Sequence, residues 1–328
     1  MVDRPRVGIA SPALAASNNG NWHTAARWGG HLEPIADVTV FDRWTGQPLD
    51  LLIALHARKS ADCIESLRNA RPDAGIILLL TGTDLYRDLP GDPAAQRSLD
   101  LADRIVVLQA RALDKLAPDA RRKAEVIEQS AEGAVGHAQP APPTRFLAVG
   151  HLRAEKDPLT LTRAACRLAA EDAVAIEHIG NALDRDIEAD VRLAMARCPH
   201  YRWCGGVPHE ETLQRIAGSH ALVHPSRMEG GANVVIEAVR AGVPVLASAI
   251  DGNVGLLGED YQGYFPVGDD AALAALMRRF TEDQSLRQAL QAQCRAIEHR
   301  FAPEVERRAV QELVRSVSGS PMRRSRAG

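Results

Sequence analysis

Apolar residues in this chain fall into short continuous runs separated by longer amphipathic stretches, and the alternation occurs twice. In the first half, residues 7–10, 38–41, 49–55, 76–80, 105–108 and 126–127 predict strands. Helices are predicted over about 22–32, 60–70 and 93–102. Continuous rather than alternating apolar runs fit strands of a parallel sheet covered on both faces. Residues 131–144, AEGAVGHAQPAPPT, break the pattern with two glycines and three prolines and read as an interdomain linker. The alternation then restarts, with strands at 145–150, 174–179, 201–204, 221–224, 245–247 and near 264–266. Helices are predicted over 158–170, 184–196, 210–217, 233–242 and 271–299, and a last one starts at Pro303, the favoured first helical position. The expected fold class is α/β, with two doubly wound, Rossmann-like domains. The first spans 1–143 with the linker and the second 144–300. Residues 301–328 form a terminal helix and a disordered tail, whose Arg323, Arg324 and Arg326 read as solubilising.

The chain's 328 residues suffice for two domains, and 45% hydrophobic residues supply their cores. A formal net charge of −3 gives no basis for nucleic-acid binding. No apolar run approaches the roughly 20 residues of a spanning helix, so no membrane span is expected. Arg4 and Arg6 ahead of VGIASPALAA imitate a signal peptide, but Ser11 and Pro12 cut the apolar run short, and a first strand is the better reading. Cys63, Cys166, Cys198, Cys204 and Cys294 show no CxxC spacing. They indicate neither a zinc site nor a disulfide framework, and reduced thiols in a cytoplasmic protein are expected. The sequence carries no signature of an oligomeric state.

The densest candidate chemistry lies in residues 224–242, HPSRMEGGANVVIEAVRAG. A strand ends there, Gly230 and Gly231 turn, and a helix begins after Ala232 at Asn233. Backbone N–H groups and the helix dipole then converge on an anion site. Glu229 and Glu237 bracket it and suit hydroxyl groups, as an acidic residue suits a ribose. The arrangement asks for a diphosphate flanked by two polyhydroxyl groups, as in a nucleotide sugar; the plainer alternative is a βα turn with solvated glutamates. In GHLRAEKDP, Arg153 and Lys156 stand at i, i+3 before a helix and can share one anion, or are two exposed basic residues. Asp184-Arg185-Asp186 spells DxD. It opens a helix, so Asp184 reads as an N-cap and Asp186 as a complement to the dipole. No essential metal and no cofactor are expected.

Three first-half loops leave the C-terminal ends of strands: Ser17-Asn18-Asn19-Gly20-Asn21, His56-Ala57-Arg58-Lys59 and Thr81-Gly82-Thr83-Asp84. The first and third are small, polar and glycine-containing and precede helices, which suits phosphate. Asn19, Gly20, Asn21, His56, Arg58, Lys59, Thr81, Gly82 and Thr83 are therefore candidate acceptor-binding residues, with His23 and Arg27 beside them. Each has a surface or capping role as its alternative.

The stretch from 229 to 245 resembles the donor motif of the retaining GT-B glycosyltransferases of family 4, E-x7-E followed by A-x-x-x-G-x-P-V. It is represented here by Glu229, Glu237, Ala238, Gly242, Pro244 and Val245. Arg153 and Lys156 resemble that family's pyrophosphate clamp. The resemblance implies a cleft between the domains and a last helix crossing back to the first. It implies a UDP-sugar donor bound by Arg153, Lys156, Glu229, Gly230, Gly231, Ala232, Asn233 and Glu237, with Arg153, Lys156 and Glu229 catalytic.

Within that superfamily, NGNWHTAARW, LHARKS, LTGTDLYRD, VGHLRAEKDP, SRMEGGANVV and GNVGLLG resemble the selenosugar synthases of selenoneine biosynthesis, over about residues 7–268. The broad family has a Gly-Gly-Ile-Pro-Glu-like segment after its PVLAS strand, where this chain has DGNVGLLG. The branch joins a UDP-sugar, usually UDP-GlcNAc, to selenophosphate and forms a 1-seleno sugar. These two small molecules are the partners the resemblance implies. Alternatives are transfer to an ordinary hydroxyl, with His56 or Asp84 as base, a UDP-sugar 2-epimerase, and a sugar-nucleotide sensor.

Overall fold

The computed structural model describes residues 4–13, 20–133, 141–169 and 172–318. The chain divides into two compact units, 1–129 with 303–328, and 130–302. The described residues of the predicted linker, 131–133 and 141–144, go with the second unit. The rest of the linker, the loop residues Ser17, Asn18 and Asn19, Ala170 and the tail from 319 lie outside the described residues.

The first unit holds β1 (Arg6–Ala10), β2 (Asp37–Phe41), β3 (Leu51–Leu55), β4 (Gly75–Leu79), β5 (Arg104–Val107) and β6 (Ala124–Val126). They form one parallel sheet in the order β2-β1-β3-β4-β5-β6. Its helices are α1 (Gly20–Leu32), α2 (Ala61–Ala70), α3 (Pro93–Leu101) and α4 (Pro118–Arg122). The two-residue side-chain period sends Leu51, Ile53 and Leu55 to one face, against Trp28 and Leu32 of α1. Leu52 and Ala54 go to the other, against Ile64 and Leu67 of α2. With both faces buried, every position of β3 must be apolar, which is why the run is continuous.

The final helix, written α12 (Pro303–Ser318), completes the first of these faces with Val310, Leu313, Val314 and Val317. Glu306 on α12 is 1% exposed and accepts hydrogen bonds from Arg27 Nε and Trp28 Nε1, both at 2.7 Å. The last helix therefore packs on the first unit, as the resemblance implies. Arg27, a candidate beside the acceptor loops, is engaged in this anchor.

The second unit holds β7 (Thr144–Val149), β8 (Val174–Ile179), β9 (Tyr201–Trp203), β10 (Ala221–His224), β11 (Val245–Ser248) and β12 (Tyr264–Phe265). All are parallel, in the order β12-β11-β10-β7-β8-β9. Around them lie α5 (Pro158–Cys166), α6 (Arg185–Arg197), α7 (His209–Ala217), α8 (Asn233–Arg240), α9 (Asp251–Leu257), α10 (Asp270–Glu282) and α11 (Gln284–Ile297). Two features depart from expectation. The DGNVGLL segment forms α9, a helix that its glycines do not suggest. Cys166 and Cys198 form a disulfide, which corrects the expectation of reduced thiols throughout. Packing of α5 against α6 brings the ends of the two helices together, with Cα atoms 5.3 Å apart. Spacing along the sequence carries no trace of that pairing. Among the described residues no helix is long and apolar enough to cross a membrane.

Candidate active site

In a doubly wound sheet, ligands bind beyond the C-terminal strand ends where the strand order reverses. In the second unit that point lies between β7 and β10. The loop after β7 carries Arg153 and Lys156, and the loop after β10 carries Glu229. Lys156 Nζ donates to Glu229 Oε1 at 2.5 Å. The two loops are braced twice more. Arg227 Nε lies 2.9 Å from Asp157 Oδ2, and the Arg227 N–H donates to the Glu155 carbonyl at 2.9 Å. Asp157 holds a left-handed backbone conformation, φ 45°, unusual for a residue with a Cβ. Burial alone would raise the Glu229 carboxyl, but the Lys156 ammonium and His224 outweigh it and hold it well below the usual carboxylate range.

Arg153 lies in the same loop. Its Nε is buried and has no hydrogen-bond partner, and Glu155 Oε2 is 4.0 Å away. A buried donor in that state calls for an acceptor from outside the chain. α8 begins at Asn233 after Ala232, an extended N-cap residue without a side-chain cap. Val234, Val235, Ile236, Ala238 and Val239 bury the helix, and Gly242 closes it at φ 71°, a conformation that favours glycine. Glu237 projects from α8, and its Oε1 lies 2.9 Å from Nε2 of His209, the first residue of α7. The structure thus brings Arg153, Lys156, Glu229, Gly230, Gly231, Ala232, Asn233 and Glu237 to the strand ends of a single unit.

Beneath the loops, His178 is fully buried, with Nε2 3.0 Å from the Gly150 carbonyl and Nδ1 2.9 Å from the Tyr201 hydroxyl. Burial pushes its pKa down to about 4, so the imidazole is neutral. It therefore braces the end of β7 and carries no charge. Asp184 caps α6, its Oδ1 accepting from the N–H groups of Asp186 and Ile187 at 3.0 and 3.1 Å. The DxD carboxylate is thereby used within its own helix.

In the first unit the strand order reverses at β1 and β3. Gly20 and Asn21 open α1, while Asn19 lies outside the described residues. The loops after β3 and β4 are joined by Asp84, fully buried. Its Oδ2 accepts from the Ala57 N–H at 2.9 Å, and its Oδ1 from the Thr81 N–H and hydroxyl at 2.8 and 2.9 Å. His56, 1% exposed and at φ 74°, has Nε2 3.1 Å from the Thr83 hydroxyl. Burial lowers its pKa, against the opposite pull of Asp84 and Asp88. Arg58 Nε donates to Asp88 at 3.0 Å and lies 3.8 Å from Asp92, so its charge is already matched. Lys59 is exposed, and Thr81, Gly82 and Thr83 are partly so. Residues 84–88 form a single π-helical turn, a rare element that often marks functional segments.

Residues 135–296 match the family described as glycosyl transferases group 1. The matched stretch covers most of the second unit, which is thus similar to that family. Solved structures agree in architecture. HepE of Anabaena, determined with UDP and glucose, superposes with a TM-score of 0.76 at 16% identity, over 95% of this chain and 100% of that one. Sucrose-phosphate synthase of Thermosynechococcus elongatus gives 0.73 at 16% identity, over 96% and 99%. The pneumococcal O-GlcNAc transferase GtfA, with UDP and GlcNAc, gives 0.66 at 16%, over 81% of this chain and 56% of that one. At such identities the likeness is one of fold: two parallel-sheet, Rossmann-like domains of the GT-B type.

Sequence reasoning missed several residues at this site. His224, Ser226 and Asn253 are buried polar groups behind Glu229, and Arg227, Asp157 and His209 brace the loops and Glu237. One available signal was DGNVGLLG, the segment where the sequence departs from what the resemblance implies; Asn253 lies within it.

Proposed function

We propose that the chain transfers a sugar from a UDP-sugar, UDP-GlcNAc by preference, to selenophosphate. The observation that carries the donor half is the Lys156–Glu229 pair at the β7–β10 reversal, with the unpartnered Arg153 Nε beside it. Arg153, Lys156 and the amides of residues 230–233 meet the diphosphate. Glu237 accepts from ribose hydroxyls, and Glu229 from a hydroxyl of the sugar. As the bond from C1 to the diphosphate breaks, negative charge grows on the leaving UDP, and two fixed cations stabilise that charge more than the ground state. No metal is needed in this reading.

The acceptor half rests on the resemblance to selenosugar synthases and is assigned to Gly20, Asn21, Lys59 and Thr81–Thr83. Selenium in selenophosphate is ionised at neutral pH and attacks C1 without a base. A carbon–selenium bond forms, the C1–oxygen bond breaks and UDP leaves. Hydrolysis of the phosphorus–selenium bond by water then frees phosphate and the seleno sugar. His56 and Asp84, the residues that would serve as base for a hydroxyl acceptor, are both buried and hydrogen-bonded, which supports a nucleophile that needs none. Transfer to an ordinary hydroxyl is the second reading, favoured by the matching of the Arg58 charge by Asp88. Mass spectrometry of the product from UDP-GlcNAc with selenophosphate, and in parallel with alcohols, decides between them. Transfer to alcohols alone would overturn the selenophosphate reading.

A further inference from the structure

Behind Glu229 lies a buried polar network that the donor motif does not contain. His224 ends β10 and is 1% exposed; Asn253, in the first turn of α9, is fully buried. The Asn253 amide nitrogen donates to the Ser248 carbonyl at 2.9 Å. Its oxygen is therefore the end that faces His224 Nδ1, at 3.0 Å. That nitrogen must carry a proton, because an amide oxygen only accepts. Nε2 faces Glu229 Oε1 at 3.4 Å and the Ser226 hydroxyl at 3.2 Å. It can donate to the carboxylate only with a proton of its own, so the arrangement uses both ring nitrogens as donors, the imidazolium form. The Ser248 hydroxyl donates to the Ser226 carbonyl at 2.5 Å and ties the turn to β11.

Main-chain packing points the same way. A Cβ on Gly252 would come within 2.3 Å of the Glu229 carbonyl oxygen and 3.0 Å of its Cβ. Only glycine lets α9 press directly on the backbone of Glu229. Gly252 and Asn253 are adjacent residues in the first turn of α9. One supports the backbone of Glu229, and the other acts on its side chain through His224.

We propose that His224 and Asn253 are positioning residues for Glu229. Asn253 fixes the ring orientation of His224 by accepting from Nδ1–H, which aims Nε2–H at Glu229. His224 and Lys156 together hold Glu229 Oε1, which leaves Oε2 to accept from one sugar hydroxyl. The inference rests on the donor reading above and adds a reason for DGNVGLLG: it supplies the support for the sugar-reading carboxylate.

The test exploits the two ring nitrogens. Asn at 224 imitates Nδ1, keeping the contact to Asn253 but losing reach to Glu229; Gln imitates Nε2 and does the reverse. The readouts are UDP released from UDP-GlcNAc, with selenophosphate and with water alone, and calorimetric affinity for UDP. His224→Asn and Asn253→Leu should lower kcat about tenfold or more, the scale of a lost hydrogen bond to a charged group. His224→Gln should stay within about threefold of wild type. UDP affinity should hold within about twofold throughout, because UDP lacks the transferred sugar that Glu229 reads. A merely structural role for His224 predicts the opposite order, because only Asn preserves the buried contact to Asn253. Equal losses in both His224 variants with UDP binding intact would overturn this inference alone. If Asn253→Leu loses UDP binding through misfolding, the His224 pair decides. A wild type that fails to bind UDP would overturn the donor reading and this inference with it.

Discussion

Lys156 Nζ and Glu229 Oε1 meet at 2.5 Å from loops 73 positions apart, across the reversal of the second sheet. In the proposed donor site the pair would couple two tasks, with one ammonium serving both the sugar-side carboxylate and the leaving diphosphate. Lys156→Ala should lower kcat by about two orders of magnitude, the range for removal of one transition-state charge partner. It also leaves Glu229 buried without its cation. Glu229→Gln should therefore relieve part of the loss in the double variant, with a coupling energy of about 2 kcal/mol. Steady-state kinetics on the cycle of four enzymes measures it, and strict additivity would break the assignment.

The two glutamates should separate in binding. Glu237→Ala removes a charged acceptor from the ribose and should weaken UDP by about 1.5–3 kcal/mol. Glu229→Ala should leave UDP affinity nearly intact while impairing turnover. Calorimetry with UDP on both variants checks this, and equal losses would refute the division of roles.

Neutral, buried His178 makes a stability prediction. Its folded pKa of about 4 lies below the ordinary value of 6.5. Between these values the unfolded chain takes up a proton that the folded one refuses. The stabilisation is thus complete above pH 6.5 and is lost as pH falls towards 4, by up to about 3 kcal/mol. Denaturant titrations at intervals from pH 7 to 4.5 should show the slope, and His178→Gln should flatten it.

The acceptor reading turns on His56. If selenium is the nucleophile, His56→Gln should retain substantial kcat/KM, and the wild-type pH profile should show no acid limb that depends on His56. Burial lowers the His56 pKa, so any acid limb it caused would sit below the ordinary 6.5. A wild-type acid limb that disappears with His56, together with a rate loss of two orders of magnitude, is the signature of a general base. That result would sink the selenophosphate mechanism.

Asp184 and the question of metal can be tested together. Asp184→Ala should cost about 1 kcal/mol of stability as a lost helix cap and leave turnover near wild type. Wild-type turnover should survive EDTA. Activity that dies in EDTA and returns with manganese would show that a metal serves the diphosphate.

Much of this architecture was readable before any coordinates. The bounds of β8 and β10 coincide with their predicted strands, because alternating or continuous apolar runs admit few other solutions. The turn after β10 and the start of α8, which carry the candidate donor residues, were legible because a glycine turn, a helix start and two spaced carboxylates are local signals. Features built from contacts distant in sequence were not. Cys166 finds Cys198 only after α5 and α6 have packed. His224 looks like the ragged end of an apolar strand until Asn253 arrives from 29 positions away. Arg58 reads as a free cation because its partners Asp88 and Asp92 belong to another loop. α9 escaped because its helical form is imposed by packing against the Glu229 loop, against the propensity of its glycines.

The anchoring of α12 by Glu306 has a consequence for the order in which the protein can be made. Val7, Ile9, Leu51 and Ile53 emerge early from the ribosome, yet the helix that shares their core ends at residue 318. Throughout synthesis one face of the first sheet is short of Val310, Leu313, Val314 and Val317, while the whole second unit is translated and free to fold. The unit begun first is thus the last to be completed, and for that interval it exposes an apolar surface that a nascent chain must keep from other chains.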